Sequence, residues 1–227
     1  MIHQHIFAAP KPGMTEAEFQ DYWLHKHAVN YASKIKQIKR YKIDLRLPFS
    51  RDPAPLWNAA AEIWLNDEAD QIASLQSPEF IDGARRDEPN WAAFWKTLGL
   101  DCDTESLKPG AVPDGAVKLL ILLKRAEGVS RDAFRTAQRA AMVDAAADPA
   151  ILRLDLAFAR DALYAVGGPP FDGLGHVWFA SVEAAETALA GPTGQALLPE
   201  TSDVLRTDQF FPMLTSEHWV IGPELRP

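Results

Sequence analysis

The sequence predicts an α+β chain of two tandem βαββαβ halves, residues 1–107 and 116–227, joined by a linker over 108–115. Three observations carry this expectation. Hydrophobic residues alternate with period two in some stretches and recur at helical spacing in others, in the same order twice. Short motifs recur at an offset that drifts only between 112 and 115 residues. The linker places two prolines and two glycines among eight residues and has no periodicity.

In the first half, residues 2–8 read as a strand, closed by a turn with Pro10, Pro12 and Gly13. Thr15 is a helix N-cap with Glu18 at capping-box spacing, which predicts a helix over 15–36. Phe19, Trp23, Lys26 and His27 fall near one face of it. Over 40–47, Tyr41, Ile43, Leu45 and Leu47 alternate with Lys42, Asp44 and Arg46, the pattern of a half-buried strand. A loop with Pro48, Pro53 and Pro55 follows, then a strand within 57–65 and a helix over 67–75. Residues 78–95 are expected to be partly helical, and a strand near 100–107 closes the half.

The order then restarts with a strand over 117–123. Gly128 to Phe134 repeats Gly13 to Phe19 at an offset of 115, with Ser130 in the cap position of Thr15. Residues 152–158 alternate like the second strand. His176-Val177-Trp178-Phe179 repeats Glu62-Ile63-Trp64-Leu65 at an offset of 114, and Leu189 and Pro192 repeat Leu75 and Pro78. Ser216-Glu217 lies 112 beyond Thr104-Glu105. One drifting offset over five ordered motifs points to tandem duplication, and the shared order is ferredoxin-like. Two helices cover one face of such a sheet, so the other needs a cover. The halves are expected to pack sheet to sheet as a barrel-like pseudo-dimer. Ile63, Leu65, Val177 and Phe179 suit packing under helices. Glu62, Trp64, His176 and Trp178 fall on the opposite faces, where a polar and aromatic lining would suit a small ligand.

Composition narrows the classes. With 227 residues and 47% hydrophobic residues, either one large core or two small ones are within reach. A net charge of −8 without a basic cluster argues against nucleic acid and anionic membrane as partners. Cys102 is the lone cysteine, which excludes an intramolecular disulfide and a cysteine-based zinc site. The opening MIHQHIF lacks signal-peptide features and no apolar run has membrane-spanning length, so a cytoplasmic location is expected. No GxSxG, HExxH or phosphate loop occurs, and Gly167-Gly168-Pro169-Pro170 is turn chemistry. Serine hydrolysis, nucleotide binding and zinc peptidase activity have no support.

Gly13-Met14-Thr15, then Phe19, then Tyr22-Trp23 and His27, resembles the motif of the EthD-like proteins of the dimeric α+β barrel superfamily. The resemblance covers most of residues 2–107. The second half lacks the motif, with Gln138 at the place of Trp23 and Met142 at that of His27. The family usually pairs two chains, so the resemblance implies a fused pseudo-dimer with one motif-bearing half. It also implies that His27 sits in a site with Tyr22 and Trp23 beside it. The implied activities are cofactor-free: dehydratase, decarboxylase, isomerase or oxygenase.

The residues themselves suggest roles. His27 can serve as acid or base, because imidazole titrates near neutrality. Glu62 and His176, at equivalent points of the two halves, are candidates for proton transfer, as are Asp44 and Glu217. His3 and His5 lie two apart on a strand and face the same way, a metal-ligand pattern. No carboxylate is visible beside them in sequence, so no metal is expected and they are read as cavity lining. Tyr41, Trp64 and Trp178 are candidates for contact with substrate. The expected function is a cofactor-independent lyase, isomerase or oxygenase acting on an aromatic or largely apolar small molecule. The alternative is a non-catalytic carrier of a hydrophobic metabolite. Further pairing of two such chains stays open.

Overall fold

The structure, a computed structural model, describes residues 1–52, 54–165 and 167–226; Pro53 of the expected proline loop lies outside them. Among the described residues there are eight strands: β1 Ile2–Ala8, β2 Arg40–Arg46, β3 Ala59–Leu65, β4 Leu98–Lys108, β5 Val117–Leu123, β6 Arg153–Ala159, β7 Gly173–Phe179 and β8 Phe211–Ile221. Among residues 2–65 the hydrogen-bonded order is β1-β3-β2, and among residues 102–216 it is β8-β5-β7-β6-β4. β1 pairs antiparallel with β3, β2 with β3, β5 with β7 and β6 with β7.

The chain divides into two compact units. The first comprises residues 1–46, 56–101 and 217–227; the second comprises 47–55 and 102–216. These units differ from the sequence halves at three places, one being that residues 102–107 belong to the second unit. The end of β8 joins the first unit, and residues 47–55 join the second, where Phe49 is part of the core and the Leu47 N–H bonds to the Leu214 carbonyl at 2.7 Å.

In the first unit, the core lies between the sheet and the segments that cross it. Phe19, Trp23, Ile35, Tyr41, Ile43, Ala61, Ile63 and Leu65 are all buried in it. The Glu16–Tyr22 helix starts as its sequence dictates. Thr15 accepts the Glu18 N–H at 3.2 Å, and Glu18 Oε2 accepts the Thr15 N–H at 2.9 Å, so two orphan donors of the first turn are satisfied. Gly13 just before it has φ +84°, a conformation that disfavours a side chain. The expected helix over 15–36 is not continuous. It passes into a π-helical turn, Trp23–His27, in which the Ala28 N–H reaches back five residues to the Trp23 carbonyl. A short α turn, Ala28–Asn30, and a 3₁₀ turn, Ala32–Lys34, follow.

The second unit packs Phe134, Met142, Leu154, Leu156, Val177 and Phe179 in its own core. Its long helix, Arg131–Ala146, is capped by Ser130, which accepts the Ala133 N–H at 3.1 Å. Gly128 repeats the positive φ of Gly13, at +78°. Among the described residues, no helix is long and apolar enough to cross a membrane.

Candidate active site

The π-turn is what aims His27. A wider turn changes which residues share a face, and single π-turns inside helices are frequent at functional sites. Here it sends both Trp23 and His27 into the core, 2% and 6% exposed. They line a cavity of about 240 Å³ that lies wholly within the first unit. Ile6, Tyr41, Ala61, Ile63 and Phe80 supply much of its apolar wall.

His27 is held from across the fold. A second π-turn, Glu79–Ala84, leads into the short helix Arg85–Asp87. Asp87 Oδ2 lies 2.9 Å from His27 Nδ1. Its other oxygen accepts the Tyr22 hydroxyl at 2.9 Å and the Asn90 amide at 3.0 Å. Burial pushes the Asp87 carboxyl up, but hydrogen bonds from Asn90, His27 and Tyr22 outweigh it and hold the group below its ordinary range. The carboxylate is therefore ionised and must face a proton on Nδ1. Burial pushes the Tyr22 phenol up to about 12, with Asp87 adding to the shift, so Tyr22 remains a donor.

Trp91 Nε1 is also 3.1 Å from Nδ1, but one nitrogen cannot donate to Asp87 and accept from Trp91 at once. An anion beside a bare lone pair would be repelled, so the carboxylate decides the tautomer and Trp91 serves as a wall. Its ring centroid is 4.7 Å from that of His27 and 4.7 Å from that of Trp23. Nδ1 being engaged, Nε2 is the nitrogen left for a ligand, and no hydrogen bond to it occurs among the described residues. Burial lowers the His27 pKa, with Asp87 pulling the other way, so the imidazole stays neutral at pH 7. Glu88 also lines the cavity, its carboxyl raised by burial against the opposing pull of Arg85.

The other expected site residues fall elsewhere. Tyr41 does line the His27 cavity, with burial holding its phenol protonated. Glu62, Trp64, His3 and His5 do not line it. Ile63 and Leu65 of β3 face the cavity, so alternation turns Glu62 and Trp64 to the opposite side of the sheet. There Glu62 Oε2 is 2.7 Å from His3 Nε2, Glu62 Oε1 is 3.1 Å from Lys42 Nζ, and the His3 ring stacks on Trp64 at 4.2 Å. Lys42 also pairs with Glu217, and oxygens of Asp44, Glu62 and Glu217 lie within 4.8 Å of one another. His176 and Trp178 belong to β7 of the second unit, with the Arg153 guanidinium 4.8 Å over the Trp178 ring. His27 and Glu62 thus lie on opposite faces of the sheet, and His27 works on the face that the sequence assigned to helix packing. Asp87 and Asn90 were not legible as site residues. Asp87 lies 60 positions from His27, and its neighbours Arg85, Arg86 and Glu88 make it read as part of a charged stretch.

Residues 11–94 match the model of the EthD domain family. Three solved structures are similar over nearly the whole chain. One is a candidate monooxygenase of Lactobacillus acidophilus, 12% identical, covering 100% of this chain and 99% of its own, with a TM-score of 0.55. Another is a candidate monooxygenase of Fusobacterium nucleatum, 10% identical, with coverage of 100% and 97% and a TM-score of 0.59. The third is an anthrone oxidase-like protein, 9% identical, with coverage of 96% and 92% and a TM-score of 0.66. No curated protein matches the sequence significantly. At these identities the likeness concerns the fold. The match to the EthD domain model thus spans Tyr22 and the π-turn that carries Trp23 and His27, and the chain shares its fold with these solved structures.

Proposed function

We propose that the chain is an oxygenase-type enzyme that binds one compact aromatic molecule in the His27 cavity and removes a proton from it. The carrying observation is the buried, neutral His27, fixed by an ionised Asp87 and lining an apolar cavity. Such a base suits a substrate with an acidic C–H or O–H, because the apolar wall selects the ring and the dyad stabilises the imidazolium. The anion left behind is electron-rich and is oxidised by dioxygen. For an activated CH₂ group the balance is CH₂ plus O₂ giving C=O plus H₂O, with one oxygen atom retained and the other released as water. The names of the similar structures point to the same class of reaction. No step in this scheme calls on a further cofactor.

We read the two halves as products of duplication, and the second as having lost the site. Met142 and Gln138, at the places of His27 and Trp23, are buried at 1% and 4% exposure. Met142 fills core space there instead of facing a ligand.

The test is oxygen uptake with anthrone, comparing wild type with His27→Gln, which keeps the bulk and loses the base. General acid–base catalysis contributes about 10²–10⁴-fold, so uptake above the spontaneous rate is expected to fall by at least about 100-fold. Equal rates in a folded variant defeat the proposal. Stoichiometric retention of unchanged anthrone by the wild type would favour the carrier reading, which the apolar wall also suits.

A further inference from the structure

We propose that His3, His5 and Glu62 form a binding site for a divalent first-row transition-metal ion, separate from the His27 cavity. The sequence placed two imidazoles on one face of β1 without a carboxylate beside them. The fold supplies that carboxylate. The antiparallel register of β1 and β3 sets His5 opposite Glu62 and His3 opposite Trp64. Glu62 Oε2 is 2.7 Å from His3 Nε2 and 4.0 Å from His5 Nε2, and the two imidazole rings lie 4.0 Å apart.

The spacing suits an ion. A metal with bonds of about 2.1 Å in tetrahedral geometry spreads its ligand atoms about 3.4 Å apart. The three donor atoms already lie within 4.8 Å of one another, so side-chain adjustments of under about an ångström bring them to that spacing. All three residues are buried, His5 and Glu62 at 0% and 1% exposure. Their surroundings orient them. Lys42 holds Oε1 at 3.1 Å, leaving Oε2 turned toward the imidazoles, and Trp64 fixes the His3 plane by stacking. Asp44 and Glu217 add negative charge within 4.8 Å of Glu62, of which Lys42 offsets part. Two imidazoles and one carboxylate are the ligand set of Zn²⁺, Co²⁺ and Fe²⁺, not of Mg²⁺ or Ca²⁺. The alternative is a buried cluster held together by its own hydrogen bonds.

The experiment is a Co²⁺ titration of full-length protein after removal of metals with a chelator, followed by visible d–d absorption, with Zn²⁺ as competitor. One Co²⁺ per chain is expected, displaced by one Zn²⁺. His5→Ala is expected to weaken binding by at least 100-fold, and His27→Gln to leave it unchanged. Because His5 is fully buried, Glu62→Gln provides the second variant; it keeps the shape and a hydrogen bond to His3 while losing the charge, and should weaken binding at least tenfold. Absence of stoichiometric Co²⁺ binding by the wild type overturns the proposal. So does an affinity that Glu62→Gln leaves unaltered, which would place the ion on surface histidines. The oxygenase reading is tested by anthrone turnover and stands or falls independently.

Discussion

Asp87 controls His27 in two ways that mutation can separate. It fixes the tautomer, and its charge raises a pKa that burial lowers. Asp87→Asn removes the charge and leaves the amide free to present either atom to Nδ1. Turnover of anthrone is expected to fall by about 10- to 100-fold or more, since a comparable orienting carboxylate is worth up to about 10⁴. The acid limb of its kcat/KM profile is expected to move to lower pH, because only the burial effect remains. A limb that moves upward would contradict this account. The same group links stability to pH. The folded pKa of His27 lies below its ordinary 6.5, so near that value the unfolded chain binds the proton first. Its contribution is fully present above pH 6.5 and is lost as pH falls below it toward the folded pKa. Urea midpoints measured between pH 7.5 and 5 should show a decline that His27→Gln reduces.

At the scale of elements, what was legible is what the backbone decides locally. The Thr15–Glu18 capping box spans three residues, and the structure contains both of its hydrogen bonds. Thr15→Ala is expected to cost about 1 kcal/mol in chemical denaturation. Gly13 at φ +84° and Gly128 at φ +78° open equivalent helices. Alanine at either is expected to cost about 1–2 kcal/mol, the ordinary penalty of a side chain in left-handed backbone. The π-turn at Trp23–His27 was not legible. Its apolar spacing fits an ordinary helix, and nothing in the five residues WLHKH demands an i to i+5 bond. The wider turn comes from tertiary demands, namely fitting Trp23 against Trp91 at 4.7 Å while His27 reaches Asp87 at 2.9 Å. Strand alternation was legible, and it separated the Ile63 face from the Glu62 face. What alternation lacks is any sign of which face the neighbouring helix aims its histidine at.

For the whole molecule, the recurring motifs made the order of elements legible, because caps, turns and hydrophobic alternation mark each element locally. They did not disclose that residues 217–227 join the first compact unit and residues 47–55 the second. Strand ends carry no local mark of which sheet they pair with. The repeat also raises the question of how many sites the chain has. Met142 occupies the place of His27 and is packed in the second core. At the same 114 offset that relates Pro192 to Pro78, Thr201 stands where Asp87 would be needed, and it is exposed. Restoring the histidine alone therefore restores neither partner nor cavity. Met142→His is expected to destabilise the protein by about 1–3 kcal/mol, the cost of burying an imidazole without a hydrogen-bond partner. Equilibrium binding of an aromatic ligand, read by quenching of tryptophan fluorescence and by native mass spectrometry, should give one ligand per chain in wild type and in Met142→His alike. His27→Trp, which fills the first cavity, should reduce it to none. A second ligand in either of the first two proteins would mean that the second half retains a cavity of its own, and that the asymmetry argued from Met142 and Thr201 is wrong.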